Sequence, residues 1–235
     1  MVRGVACLAL SPCWFIGQAM AAGLHILLAP APPLIGEGAG PIPRGPGVAL
    51  LREIGARAGI DVDFRLYPPA RAQKLAEVQA GSCSPMARFP ERAAHYKWSA
   101  PVVAMRLVLL AAAEDKRRFA SLEQARGLKI GAVRGSAVAS RMQQLGWPLD
   151  EVADNGAGLK MLQLRRFDLL ASLDAGWRSR ATALGIAKPR VALVVEQADI
   201  FLGCSLKTDD ALIARMSAAI EAMRRDGSLR RFDLS

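Results

Sequence analysis

The residues of this sequence whose types and spacing could do chemistry are mostly binding groups. Gly135 and Ser136 follow a predicted strand, Leu128–Val133, and precede a predicted helix that ends near Leu145. Free backbone amides at the start of a helix attract anions, and a serine hydroxyl can add a hydrogen bond. The same serine can also be an ordinary helix N-cap. The pattern therefore predicts either an anion-binding turn or a plain cap.

Residue types used in catalysis or metal binding are scarce. His25 and His95 are the only histidines, which argues against a histidine-based triad or a metal cluster. The glycine-rich segment 36–40 is followed by prolines rather than by a helix, so it does not predict a dinucleotide site. We expect neither enzymatic activity nor a cofactor.

The N-terminus is typical of a secretory signal peptide. Arg3 precedes an apolar run, Gly4–Met20, and Ala19-Met20-Ala21 fits the small-residue rule for cleavage after Ala21. The alternative is a membrane anchor, but Pro12 and Gln18 interrupt the run, which falls short of the ~20 apolar residues of a spanning helix. We therefore predict export to the periplasm.

Cysteine usage follows from that cleavage. Cys7 and Cys13 would leave with the signal peptide, so the mature chain would keep Cys83 and Cys204. In an oxidising compartment these are one possible disulfide pair, and two free thiols are the alternative. No Cys-x-x-Cys spacing supports zinc or thioredoxin chemistry.

The formal net charge of +10 could indicate a nucleic-acid or anionic-surface partner. However, the arginines are scattered along the whole chain, and only 6% of residues are aromatic. No basic helix with stacking aromatics is present. We interpret the charge as a solvated basic surface and expect no nucleic-acid partner.

Strand and helix patterns alternate along the chain and would position these residues. Polar and apolar residues alternate over Val62–Leu66, which predicts a half-buried strand. A helix begins at Pro69, with Ala72, Leu75 and Val78 on its apolar face, whereas the Pro- and Gly-rich stretch Pro30–Pro46 predicts a loop. Repeated alternation favours an α/β fold with largely parallel sheets.

Several short segments follow one another in a fixed order. They are Tyr67-Pro68-Pro69-Ala70-Arg71-Ala72, Arg88-Phe89-Pro90-Glu91-Arg92, Tyr96-Lys97-Trp98-Ser99-Ala100-Pro101, Leu128–Ser136, Met161-Leu162 with Arg166-Phe167-Asp168, and Asp226-Gly227-Ser228-Leu229. In this order and spacing the chain resembles the bacterial extracellular solute-binding proteins of family 3, the amino-acid-type receptors of ABC transporters. The resemblance covers essentially the whole chain after residue 21.

The resemblance implies a two-lobed fold of the periplasmic-binding-protein type, each lobe a mostly parallel sheet flanked by helices. Lobe one would hold residues 22–107 and 203–235, and lobe two residues 108–202. Two hinge crossings would lie at Val102–Leu110 and Val195–Leu202. In this fold the strand after residue 81 and the strand through Cys204 are neighbours, which would bring Cys83 close to Cys204.

The resemblance also implies ligand-binding residues. Arg92 stands where the family grips a ligand carboxylate, and a guanidinium fork matches a carboxylate in two bonds. Asp174 is the candidate for a ligand amine, although it could equally be the N-cap of a helix over residues 175–184. Tyr67 would supply an apolar wall and Arg71 additional positive charge.

Two departures from the family pattern bear on the ligand. Pro30-Ala31-Pro32-Pro33 lacks the aromatic residue that usually walls the amino-acid pocket, and Ala87 stands where the family often has a hydroxyl. We therefore do not expect an ordinary α-amino acid.

Together these features predict a monomeric exported receptor that captures a small anionic or zwitterionic ligand for the membrane component of an ABC transporter. One alternative is an exported enzyme resembling cyclohexadienyl dehydratase, for which Asp174 is the only candidate acid. A sensor module that signals to a partner protein is the other.

Overall fold

The computed structural model describes residues 23–38 and 40–232. The predicted signal peptide lies outside the described residues. No helix in the described part of the chain is both long enough and apolar enough to cross a membrane.

The first sheet has the strand order β4-β1-β5-β12-β6. Its strands are β1 (Leu24–Leu28), β4 (Val62–Leu66), β5 (Ser82–Ala87), β6 (Lys97–Trp98) and β12 (Ile200–Cys204). β1 is parallel to β4 and β5, whereas β12 is antiparallel to β5 and β6. β1 is almost entirely apolar because both faces of the sheet are covered at this central strand.

Three helices cover the first sheet: α1 (Pro46–Ala58), α2 (Pro69–Val78) and α6 (Asp210–Arg225). The apolar stripes of α1 and α6 share one hydrophobic core with the sheet. α2 packs on a separate core through Ala72 and Ala76. Val78 is 45% exposed, so its predicted place on the packed face of α2 is wrong. The helix presents an alanine pair spaced i, i+4 because the small side chains let it approach the sheet closely.

The second sheet has the strand order β11-β7-β10-β8-β9. Its strands are β7 (Arg106–Ala111), β8 (Ile130–Val133), β9 (Asp150–Val152), β10 (Leu169–Leu173) and β11 (Arg190–Gln197). One hydrophobic core contains residues of α3 (Ala137–Gln144), and another contains residues of α4 (Asn155–Gln163) and α5 (Trp177–Ala183). The described structure also contains three short 3-10 helices: Pro90–His95, Leu122–Ala125 and Ser228–Arg231.

The α/β architecture expected from the sequence is confirmed, but each sheet is mixed rather than mostly parallel. β8 is parallel to β9 and β10, whereas β7 is antiparallel to β10 and β11. The chain enters β7 from the first sheet and β12 from the second through short links without a helix. These two strands run antiparallel to both of their neighbours in their own sheets.

The stretch predicted as a loop over residues 30–46 contains a two-stranded hairpin, β2 (Gly36–Gly38) and β3 (Gly40–Arg44). The loop prediction was wrong here. Both strands of a two-stranded ribbon are edge strands, where prolines such as Pro43 are tolerated because not every backbone N–H is needed for the ladder.

The structure joins Cys83 and Cys204 by a disulfide bond. The two residues face one another on the neighbouring strands β5 and β12, with their Cα atoms 3.9 Å apart, and both are fully buried.

Candidate functional site

A central cavity of about 270 Å³ lies between the two sheets. The first sheet and its helices contribute walls from the segment after β1, the first turns of α1 and α2, and the end of β5. The second sheet contributes the end of β8, the start of α3 and the end of β10. A cavity lined from both sides can enclose a small molecule and connect the two halves of the fold.

The lining of the central cavity is mainly apolar. Its large apolar side chains include Leu34, Leu50, Met86, Val103, Val138 and Ile200. The polar side chains in the lining are Gln73, Ser136, Asn155 and Ser172, and no charged residue is among the described lining residues. The cavity therefore offers extensive apolar contact and a few hydrogen bonds.

The turn from β8 into α3 reaches the cavity through Ser136, and its role as an anion-binding turn stays a prediction. Gly135 has a φ of +65°, and a Cβ built there would lie 2.9 Å from the Cβ of Ala70. Only glycine combines that left-handed backbone with so close an approach to α2. Ser136 caps α3, because its Oγ accepts a hydrogen bond from the amide of Ala139 at 3.1 Å. It also lines the cavity, so capping and ligand contact are compatible at this residue.

Arg92 lies one layer behind the cavity wall, on the 3-10 helix Pro90–His95. Its Nη2 donates to Oε1 of Gln73 at 3.0 Å and its Nη1 to the sulfur of Met86 at 3.4 Å. Both partners line the cavity. The Nε atom is buried without a hydrogen-bond partner in the described structure. Desolvation by burial lowers the pKa of the Arg92 guanidinium.

The acid closest to Arg92 in the sequence, Glu91, is engaged elsewhere through one oxygen, whereas its Oε1 is buried without a hydrogen-bond partner in the described structure. Oε2 of Glu91 faces Nη1 of Arg141 at 3.4 Å, and Arg141 also forms two hydrogen bonds to Glu196 at 2.6 and 2.9 Å. The hydrogen-bond partners of Arg92 itself, the Gln73 carboxamide and the Met86 thioether, are neutral.

Gln73 is a site residue that the sequence reasoning missed. It accepts the hydrogen bond from Arg92 while its Nε2 donates to the carbonyl oxygen of Gly135 at 3.3 Å. Its side chain thus joins the two sides of the cavity. The available signal was its spacing of four residues from Pro69 on α2, which places both on one helix face.

Asp174 lies beside the cavity, but its carboxylate is occupied. Oδ1 accepts from the backbone amide of Arg106 at 2.8 Å and Oδ2 from its Nε at 2.6 Å. Its neighbours Leu173 and Ala175 line the cavity, whereas Asp174 is not among the described lining residues. The alternative role as helix cap is wrong, because α5 begins at Trp177 and its N-cap is Gly176.

Tyr67 and Arg71 pack against each other. The guanidinium of Arg71 lies 5.1 Å from the ring centroid of Tyr67, and Arg71 is exposed to solvent. Neither is among the described lining residues of the central cavity. The roles of Tyr67 as an apolar wall of the binding site and of Arg71 as a positive charge near the ligand stay predictions.

Comparison with known proteins places the chain in a family. The family model for bacterial extracellular solute-binding proteins, family 3, matches residues 28–233. No curated protein sequence matches the chain significantly.

Solved structures are similar over most of their length. A histidine kinase sensor domain with similarity to periplasmic binding proteins is 17% identical, with a TM-score of 0.76, covering 89% of this chain and 93% of that one. A substrate-binding protein of an ABC uptake transporter from Streptococcus pneumoniae, with bound histidine, is 15% identical, with a TM-score of 0.74 and 90% of each chain covered. The arginine-binding protein of T. maritima, as its P235GK mutant, is 15% identical, with a TM-score of 0.71, covering 90% of this chain and 93% of that one. At sequence identities of 15–17%, the structural similarity to these proteins shows the two-lobed fold and nothing beyond it.

Proposed function

Because the chain belongs to the bacterial extracellular solute-binding proteins of family 3, we propose that it captures a small molecule in the central cavity and delivers it to the membrane component of an ABC transporter. The observation that carries this proposal is the cavity itself, whose walls come from both sheets. A ligand held there contacts both halves of the molecule, so its binding energy favours the closed state.

We propose that the two sheets are lobes that move against each other. The expected bounds, residues 22–107 and 203–235 for lobe one and 108–202 for lobe two, fall inside β7 and β12. With each strand kept whole, lobe two runs from Arg106 to Gln197, and lobe one holds the chain up to Trp98 and from Ile200 onwards. The chain passes between the sheets only between Trp98 and Arg106 and again between Gln197 and Ile200, within the described residues. Two short links of this kind suit hinge bending, in which a few residues absorb the change in backbone angles.

Arg92 is the proposed anchor for a negatively charged group of the ligand. Both hydrogen-bond partners of this partly buried guanidinium are neutral, and Glu91 acts on it through its charge without a hydrogen bond in the described structure. A hydrogen-bonded ligand anion would therefore add the partner that a desolvated charge favours. A ligand carboxylate would meet it once the side chain of Gln73 turns aside. The amides at the start of α3 would then face the ligand from the other lobe.

The proposed place of action is the periplasm, reached through cleavage after Ala21, and the proposed state is a monomer. An enzymatic role has less support. A dehydratase needs an acid in the cleft, and the described lining contains none. Asp174, the acid that the sequence suggested for this role, is bonded twice to Arg106.

A sensory role is the second candidate. The histidine kinase sensor domain is the specific observation that favours it, with a TM-score of 0.76. Capture of a ligand and closure would be shared by both roles. They differ in the partner, which is a transporter permease in one case and a signalling protein in the other.

The experiment that tests ligand capture is mass spectrometry of the protein purified from its own periplasm, before and after mild denaturation, together with small-angle scattering. We expect one small molecule per chain, released on denaturation, and a smaller radius of gyration when it is added back. Absence of any released molecule, with a radius that no periplasmic extract changes, would contradict the proposal.

A further inference from the structure

We infer that the ligand is an organic acid with an apolar body and no ammonium group. This inference rests on the proposed function and narrows it to one chemical class. Three separate features of the central cavity favour an apolar body, favour an acid group and disfavour an amine.

The walls select the apolar body. Leu34, Leu50, Val103, Val138 and Ile200 line the cavity from different elements. An apolar cavity of about 150 Å³ is large enough to bind benzene, and the central cavity has about 270 Å³. A ring or a branched chain with a short acid arm fits that space and gains affinity by removing apolar surface from water. A polar body such as that of glutamate would leave its groups unpaired against these walls.

Arg92 selects the acid group. Two side chains, Gln73 and Met86, separate its guanidinium from the cavity, and each contacts one of its terminal nitrogens. The Oε1 atom of Gln73 marks a position 3.0 Å from Nη2, which a carboxylate oxygen would take over as a stronger, charge-assisted partner. Nε, buried without a partner in the described structure, is a further unused donor.

The described lining of the cavity, which contains no acid, selects against an amine. The described lining residues include no aspartate or glutamate. Both carboxylate oxygens of Asp174 already accept hydrogen bonds from Arg106. An ammonium group in the cavity would therefore be desolvated without an anion, which is strongly unfavourable.

A matched set of three fluorinated probes tests the inference by 19F NMR titration of the purified protein, after removal of any co-purified ligand. 4-Fluorophenylacetate carries the ring and the acid, 4-fluoro-L-phenylglycine adds only the amine, and 4-fluorophenylacetamide removes the charge. We expect the acetate to bind about tenfold or more tightly than either of the others. Equal or tighter binding of the amino acid or the amide overturns the inference, as does failure of the acetate to bind.

A variant pair tests the apolar wall. Val103→Thr keeps the shape of a lining residue but adds a hydroxyl, and Val194→Thr makes the same change at a side chain that is 43% exposed. We expect Val103→Thr to weaken binding of the acetate about five- to fiftyfold, because the hydroxyl is desolvated against the ring. We expect Val194→Thr to leave it unchanged. Equal effects of both variants overturn the assignment of this wall.

Failure of the inference and failure of the proposed function give different results. If the released ligand, or L-glutamate or 4-fluoro-L-phenylglycine, binds and closes the lobes while the acetate does not, capture stands and the ligand class is wrong. If no probe binds, no molecule is released from the native protein and no closure occurs, both are overturned.

Discussion

Arg92 is a cation whose partners in the described structure are neutral, so its contribution to binding depends on the ligand. Replacing it with Ala should weaken binding of the released ligand, or of 4-fluorophenylacetate, by about 30- to 1000-fold, because a charge-assisted pair is lost. Arg92→Lys should retain only part of the wild-type affinity, since lysine cannot form the two-bond fork. Calorimetry measures both variants, and Arg225→Ala at an exposed position of α6 is the control. Unchanged affinity in both Arg92 variants, with the fold intact, would place the anchor elsewhere.

Asp174 is predicted to act on stability rather than on ligand affinity. Its carboxylate, 16% exposed, holds the backbone amide and Nε of Arg106 at the start of β7. Asp174→Ala should lower the free energy of unfolding by about 1–3 kcal/mol, because a partly buried donor loses its acceptor. Urea denaturation measures this loss. A collapse in ligand affinity without loss of stability would instead revive the amine-binding or dehydratase role.

At the scale of single residues, the sequence predicted those whose role depends on local chain geometry. Gly135 and Ser136 could be placed because a strand-to-helix turn is visible in the sequence. The engagement of Asp174 could not be predicted, because Arg106 lies 68 residues away and meets it only through the pairing of β7 with β10. Gln73 was missed for the same reason, since both its partners come from other elements.

At the scale of elements, the turn after β7 is held by a buried acid. Asp115, with a side chain 4% exposed, accepts three hydrogen bonds from the side chain of Arg117. Arg165 and Arg190 lie near the same carboxylate, at 3.6 and 3.9 Å. The side-chain hydrogen bonds from Arg117 lower the pKa of Asp115 from 3.8 to about 2.

This shift predicts a pH dependence of stability. Because the folded-state pKa lies below the unfolded one, ionised Asp115 stabilises the fold above about pH 4, and that contribution is lost as the pH falls towards 2. A shift of this size corresponds to roughly 2 kcal/mol. Asp115→Asn should therefore lower the free energy of unfolding by roughly 2 kcal/mol at pH 7 and by nearly nothing at pH 2. Urea denaturation at the two pH values measures this difference. Asp61→Asn, at an exposed position, is the control, and an equal cost of Asp115→Asn at both pH values would contradict the prediction.

The elements themselves were largely predictable because their periodicity is local. β4 shows a period of two and stands where the sequence predicts it, and α2 begins at Pro69 as predicted. The antiparallel halves of the sheets were not predictable, because strand direction depends on which distant strand provides the neighbour. Alternation of element types does not encode that information.

At the scale of the whole molecule, Gln73 joins the two proposed lobes through one carboxamide. Gln73→Glu would give Arg92 an internal carboxylate and replace the donor to the carbonyl of Gly135 with an acceptor. We expect this variant to reduce affinity for 4-fluorophenylacetate about 30-fold or more, because the ligand acid must then displace an ion pair. Calorimetry with Gln79→Glu, exposed at the end of the same helix, provides the control. Wild-type affinity in Gln73→Glu would mean that the ligand does not use the Arg92 position.

The order of the strands also determines which sheet can be completed first during synthesis. The second sheet is built from one uninterrupted stretch, Arg106 to Gln197, whereas the first sheet waits for β12 before it is complete. Cys83 and its partner are separated by 121 positions. At about 5–20 residues per second of translation, the Cys83 thiol would emerge roughly 6–24 s before Cys204. The lobe that begins the chain would therefore be the last to have all its strands.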